Sequence, residues 1–280
     1  AGQASGIESH EMLVTLRTWA LFGLYTACAS EKTRTGTWYV LVHPPSKLAL
    51  CMIPKVGSTT FSKMFNHMND IKHRKGKSLW ISSSCTFSEV SCESIKPESW
   101  TIAAFWRKPA ERYLSAWLSK CAAMHGNSPP GAVENKGAQC FGHVIRNTSI
   151  SPLAFAAAFK GRILLDAKRG LAQNNHWRPQ VTVAAQACNL SMQDFNFHGN
   201  MSMPLELQVA KLLKKVNYAN AAELSAKLFD KKNTPHCTEC SETRLEKRKL
   251  HYVHAILRKP RILAIMRKLY KEDYEALKIA

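Results

Sequence analysis

Two short stretches of the chain carry residue types suited to holding anions. The first is Pro54-Lys55-Val56-Gly57-Ser58-Thr59-Thr60. Gly57 lets the backbone approach a ligand closely. Amides at the start of a following helix point at an anion, and the helix dipole favours negative charge there. Lys55 adds a point charge, and the hydroxyls of Ser58, Thr59 and Thr60 add donors. The nucleoside-triphosphate loop is excluded, because the G-x-x-x-x-G-K-S/T spacing is missing and the lysine precedes the glycine. Taken alone, the stretch reads equally well as a capped helix behind a tight turn. The second stretch is Arg107-Lys108-Pro109, followed by Arg112, Ser115, Ala116 and Trp117. An arginine together with a hydroxyl suits a phosphate monoester. Taken alone, this stretch reads as a solvated helix face.

The surrounding pattern supplies elements to position both. Trp38–Val42 and Leu48–Ile53 are short β-prone runs bounded by turn residues. Phe61, Met64, Phe65 and Met68 then recur at one helical face, giving strand, glycine-containing loop and helix. Thr101–Trp106 reads as a buried strand, and Pro109 stands where a helix accepts proline, in its first turn. Ala110, Tyr113, Leu114, Trp117, Leu118 and Cys121 line one face of that helix, and Arg112, Ser115 and Ser119 share another. Arg107 therefore falls at the carboxyl end of a strand, where open α/β sheets bind ligands. Residues 122–150 read as loop, a helix is expected from Ser151 to about Lys160, and 166–203 read as irregular and polar. Pro204–Val216, Ala219–Phe229, Ser241–Leu257 and Pro260–Leu277 read as helices. The expected fold is α/β, with a central parallel sheet and a helix-rich C-terminal part. Residues 1–36 are set apart as an N-terminal segment, a helical stem, ahead of one domain over 37–280. The apolar run Met12–Ala29 is interrupted by Arg17 and reads as a buried or interfacial helix. A membrane anchor is expected upstream of residue 1.

Composition narrows the class. The hydrophobic share of 45% excludes wholesale disorder. A formal charge of +19 calls for an anionic partner. Nine cysteines and N-x-S/T triplets at Asn147, Asn189 and Asn200 point to a secretory compartment. Cys237-x-x-Cys240 with His251-x-x-His254 offers a rival zinc site, although its spacing is not that of a standard finger and a secretory setting favours disulfides.

The two anion stretches resemble the motifs of the Golgi carbohydrate sulfotransferases, the chondroitin 4-O-sulfotransferase-like group of sulfotransferase family 2. Two further stretches agree in order, Asn175-His176-Trp177-Arg178-Pro179-Gln180 followed by Cys188, and Leu269-Tyr270-Lys271-Glu272-Asp273-Tyr274. The resemblance spans residues 48–275 and implies a three-layer P-loop-like fold and transfer of a sulfonate group from 3′-phosphoadenosine 5′-phosphosulfate to a glycan hydroxyl. It implies that Lys55, Val56, Gly57, Ser58, Thr59 and Thr60 cradle the 5′-phosphosulfate and that Arg107 and Ser115 hold the 3′-phosphate. It also implies a membrane-associated, type II placement in the Golgi lumen, and no metal. The expected partner is an anionic polysaccharide or other glycan acceptor, and not nucleic acid. Lys55 is expected to stabilise the leaving oxygen, and His176 is the candidate base, with a structural histidine packed by Trp177 as the alternative. Arg178 is placed to meet an acidic acceptor. The chain departs from the pattern at Phe197–Ser202, where Ser202 stands in place of an acidic residue, and at Trp106 and Lys108 beside the arginine. The alternatives to an active sulfotransferase are a basic nucleic-acid-binding or zinc-containing module, and a sulfotransferase-like chain without activity.

Overall fold

The computed structural model describes residues 39–71, 85, 90–122, 140, 149–172, 174–230 and 243–278. The described residues all belong to the unit spanning 37–280. The expected stem over 1–36, the run Met12–Ala29, Asn147, the Cys237/Cys240 pair and most of the 122–150 loop lie outside the described residues.

Four short strands form one sheet in the order β1 (Val40–His43), β2 (Leu48–Cys51), β3 (Thr101–Trp106) and β4 (Phe197–Asn200). The pairs β2–β3 and β3–β4 are parallel, whereas β1–β2 is antiparallel. The all-parallel sheet expected from the sequence is corrected at this edge. Only Pro44–Lys47 join β1 to β2. A connection that short permits a hairpin, and parallel pairing needs a crossover of a dozen or more residues.

Every residue of β1 and β2 is buried, as expected for strands covered on both faces. On one face, α1 (Ser58–Met68) brings Phe61 against Phe105, with ring centroids 4.6 Å apart. Phe61 also meets Phe229 of α6 (Ala221–Phe229), and Phe105 meets Phe197. Side chains alternate along a strand, and Cys51 pairs with Ala104 across the sheet, so Cys51 points to the opposite face from Phe105. There it is bridged to Cys188, at the end of α4 (Gln180–Ala187). The sheet thus has helices on both faces. α5 (Leu205–Lys215) packs against α6 and β4.

A second apolar cluster lies mainly among helices. It joins α2 (Pro109–Lys120) and α3 (Pro152–Arg169) to α7 (Arg244–Leu257) and α8 (Pro260–Leu269) around Trp117, Phe155, Phe159 and Trp177. The stretch 166–203, expected to be irregular, holds the end of α3, all of α4 and β4. α4 has too few apolar positions to show a helical stripe, and β4 is a four-residue strand containing a glycine. The single helix expected over Pro260–Leu277 breaks at Tyr270 into α8 and α9 (Lys271–Ala276). Tyr270 is wholly buried and its hydroxyl donates to the Trp177 carbonyl at 2.8 Å, which fixes the break.

Candidate active site at the carboxyl edge of the sheet

Because β2, β3 and β4 run parallel, the segments that follow them emerge on one edge. The segment after β2 is the lysine loop. Lys55 adopts φ 73° and Gly57 φ 84°, both left-handed. For a lysine that conformation costs about 1–2 kcal/mol, so the surrounding structure must hold it. Gly57 is the N-cap of α1 and offers no side-chain cap, and the first turn holds no acidic residue. Among the described residues, the amides of Gly57, Ser58 and Thr59 have no protein acceptor; the first bonds back to the cap come from Thr60 and Phe61. These amides are suited to an anion. Val56 is buried in the core and contributes its backbone alone.

α2 docks onto this loop. Arg112 is fully buried, and its guanidinium donates to three backbone carbonyls: Nε to Pro54 at 3.0 Å, and its terminal nitrogens to Arg178 and Asn175 at 2.7 Å each. Burial lowers its pKa, while the fields of Tyr270 and Asp273 oppose the shift; the group stays charged. Further along α2, Ser119 accepts a hydrogen bond from the Lys55 ammonium. Ser115 is buried and lies between Arg112 and Ser119 on the same helical face, so it too faces the loop. The solvated-face reading of this helix is therefore overturned.

Arg107 closes β3. Its backbone N–H donates to the Gln180 side chain at 3.0 Å, and its carbonyl accepts from the same amide group at 2.8 Å. Gln180 also donates to Asp273 at 3.2 Å, and the Val181 N–H donates to Asp273 at 3.0 Å. Burial raises the Asp273 carboxyl above its ordinary range despite these donors. The Arg107 side chain is mostly buried and sits 3.8 Å from Glu111, which is partly exposed. Four sequence stretches spanning Pro54 to Asp273 are thus joined by buried polar links, from Pro54 through Arg112 to Asn175 and Arg178, and from Arg107 through Gln180 to Asp273.

His176 lies in the turn that Arg112 holds. Its backbone N–H donates to Asn174 Oδ1 at 2.9 Å, and its ring Nδ1 is buried without a partner among the described residues. Burial, then the positive fields of Lys120, Lys55 and Arg112, lower its pKa to about 2. The ring is neutral across the physiological range and stands within the field of Lys55. Trp177, beside it, stacks under the Arg162 guanidinium at 4.4 Å, in the helical core.

The structure therefore gathers Lys55–Thr60, Arg107, Ser115 and His176 around one edge. Sequence reasoning assigned no role to Arg112, Ser119, Gln180 or Asp273. Ser119 was legible as the next position on the face of Arg112 and Ser115, but the burial of Arg112 and the Gln180–Asp273 link depend on chain segments far apart in sequence. Two basic side chains of the C-terminal half are engaged within the protein. Lys249 is buried with its ammonium 5.4 Å from the Phe155 ring centre, and Lys215 donates to the Asn196 carbonyl at 2.6 Å. Among the described residues no cluster of three His, Cys, Asp or Glu side chains is arranged to hold a metal. His251 and His254 are described, whereas both cysteines of that motif are not.

The fold and the site together define a mixed α/β protein whose parallel strands end in loops suited to anions. The model of the sulfotransferase family matches residues 38–278, and the chain belongs to that family. Its general activity is sulfonate transfer, and its small four-stranded sheet fits the P-loop-like fold of the family. No curated protein and no solved structure matches the chain.

Proposed function

We propose that the protein is a carbohydrate O-sulfotransferase that takes its sulfonate from 3′-phosphoadenosine 5′-phosphosulfate, the donor the family implies. The observation that carries this reading is the docking of α2 on the lysine loop, with Arg112 on Pro54, Ser119 on Lys55 and Ser115 between them. The amides of Gly57, Ser58 and Thr59 and the Lys55 ammonium meet the 5′-phosphosulfate. Arg107 and Ser115 meet the 3′-phosphate, which competes with the long, partly exposed Arg107–Glu111 pair.

When bound, the donor supplies an activated sulfonate. The acceptor oxygen bonds to sulfur, the bond from sulfur to the 5′-phosphate oxygen breaks, and the bisphosphate leaves with that electron pair. Lys55 stabilises the negative charge growing on the departing oxygen. Ser119 holds its ammonium in place until then. His176 takes the hydroxyl proton. Its low basicity comes partly from neighbouring cations, and the negative charge of the donor offsets that part, so the base strengthens when the donor is in place.

An anionic polysaccharide is the proposed acceptor. The charge of +19 far exceeds what one nucleotide needs, and Lys211, Lys214, Arg244, Lys247 and Arg248 are exposed on α5 and α7. Disulfides Cys51–Cys188, Cys85–Cys92 and Cys121–Cys140, with exposed sequon residues Asn189 and Asn200, support a secretory setting, and we place the protein at the Golgi lumen. No described helix is long and apolar enough to cross a membrane. The test is transfer of labelled sulfonate to a panel of neutral and acidic glycans at several salt concentrations. The Michaelis constant for an acidic glycan should climb with ionic strength while that for a neutral one stays level. Absence of transfer to every glycan, with no binding of adenosine 3′,5′-bisphosphate, refutes the reading.

A further inference from the structure

A groove of about 620 Å³ lies on the helical side of the molecule, between the end of α3, α4, and the α8–α9 junction. Its size falls within the ~300–1,000 Å³ of small-molecule sites. Leu171, Ile265 and Leu269 give it an apolar lining, and Pro179 adds to it. Around that lining stand Arg178, Thr182, Gln186, Lys268 and Glu272. Two pairs are already formed there, Arg178 donating to Gln186 at 2.7 Å and Thr182 donating to Glu272 at 2.6 Å. Asp166 also lines the groove. Its Oδ2 accepts from Tyr113 at 2.5 Å and from Arg162 at 2.8 Å, and its buried Oδ1 has no partner among the described residues.

We propose that this groove binds a non-reacting saccharide unit of the acceptor chain. A pyranose ring has an apolar C–H face and a rim of hydroxyls that both donate and accept. The groove presents the matching set, an aliphatic lining bordered by carboxylate and amide acceptors and by cationic and hydroxyl donors. Its cations and carboxylates balance, which fits a hydroxylated ring better than a bare phosphate. The groove is also coupled to the reaction centre. One turn of chain, residues 174–179, carries His176 within the field of Lys55 and Arg178 in the groove, and Arg112 pins that turn to the lysine loop. A polymer seated on Arg178 would be held close to the lysine loop.

The inference rests on the glycan-acceptor reading, and the experiment separates the two. Ala167→Trp fills the groove from an exposed helical position, and the double variant Thr182→Ala/Glu272→Ala removes two rim groups. Neither touches the polar network around Arg112. Both are assayed as full chains of unchanged melting temperature, with desulfated chondroitin oligosaccharides of two to eight sugars. In the wild type, the Michaelis constant should fall as the oligosaccharide lengthens. In both variants that gain should vanish, a loss of about tenfold for the longest probe, while turnover and the donor Michaelis constant stay within about twofold. Unchanged length dependence in both variants overturns the groove assignment and leaves the sulfotransferase reading standing. If the wild type transfers sulfonate to none of the probes, direct calorimetric binding of the octasaccharide decides. Binding that Ala167→Trp abolishes upholds the groove, and absence of binding to the wild type overturns it.

Discussion

Replacing Arg112 by lysine should loosen the donor site without discharging it. The guanidinium makes three hydrogen bonds to carbonyls that lie in different segments, at Pro54, Asn175 and Arg178. An ammonium on a shorter reach keeps the charge but not the planar fork, and satisfies about one of the three. Each bond from a charged donor is worth about 1.5–3 kcal/mol, so losing two at the lower figure costs about 3 kcal/mol. For a domain of this size 1 kcal/mol moves the melting temperature by about 2–4 °C, which gives a drop of about 6–12 °C. The freed Pro54 carbonyl also lets Lys55 leave its left-handed conformation. Affinity for adenosine 3′,5′-bisphosphate should therefore fall by more than tenfold even at temperatures where the variant is fully folded. Differential scanning calorimetry and isothermal titration measure the two effects separately. A variant that melts within about 2 °C of the wild type and binds the bisphosphate equally well would refute the clamp. Arg112→Ala, which leaves all three buried carbonyls unpaired, should not yield folded protein.

Lys55→Ala should lower turnover by about a hundredfold yet weaken bisphosphate binding by less than tenfold, because Lys55 acts on charge that grows in the transition state; equal losses would reduce it to a binding residue. Arg107→Ala should erase most of the preference for the 3′-phosphorylated donor over adenosine 5′-phosphosulfate, read from the ratio of their kcat/KM values, since a charge-assisted contact is lost. His176 has a folded pKa of about 2 against an ordinary 6.5. The unfolded chain therefore binds the extra proton, and the stability this group contributes is complete above pH 6.5 and lost as pH falls towards 2. Between pH 7 and 5 the loss is about 2 kcal/mol, and urea unfolding of His176→Asn should show a shallower pH dependence than the wild type over that window. Gly199→Ala should cost at least 1–3 kcal/mol, because a methyl there would lie 2.1 Å from the Phe105 ring; an unchanged urea midpoint would mean that β4 shifts freely.

Local chemistry is what the sequence displays, and it displayed the loop proposed to hold the donor. Pro54–Thr60 and Arg107–Ser115 are contiguous, and each is bracketed by its own strand and helix, so residue type and spacing reveal both. The strand Thr101–Trp106 and the apolar faces of α1 and α2 were legible for the same reason, since periodicity within a dozen residues suffices to define them. β4 and α4 were not, because four residues of mixed polarity and a helix of eight carry too little pattern to separate them from loop.

The identity of Arg112 as a buried clamp could not be read from its neighbours. Its three acceptors come from residues 58 to 66 positions away, and a charged side chain on a helix ordinarily faces water. The same holds for Asp273, which reaches Gln180 across 93 residues only because Tyr270 breaks the last helix. The sequence by itself determined which groups are suited to an anion and which strand each group follows. Tertiary structure decided that α2 docks on the lysine loop, that burial lowers the pKa of His176, and that Arg178, two residues further on, lines a separate groove. Those properties depend on distances between segments and on exclusion of water, which no local pattern of residues encodes.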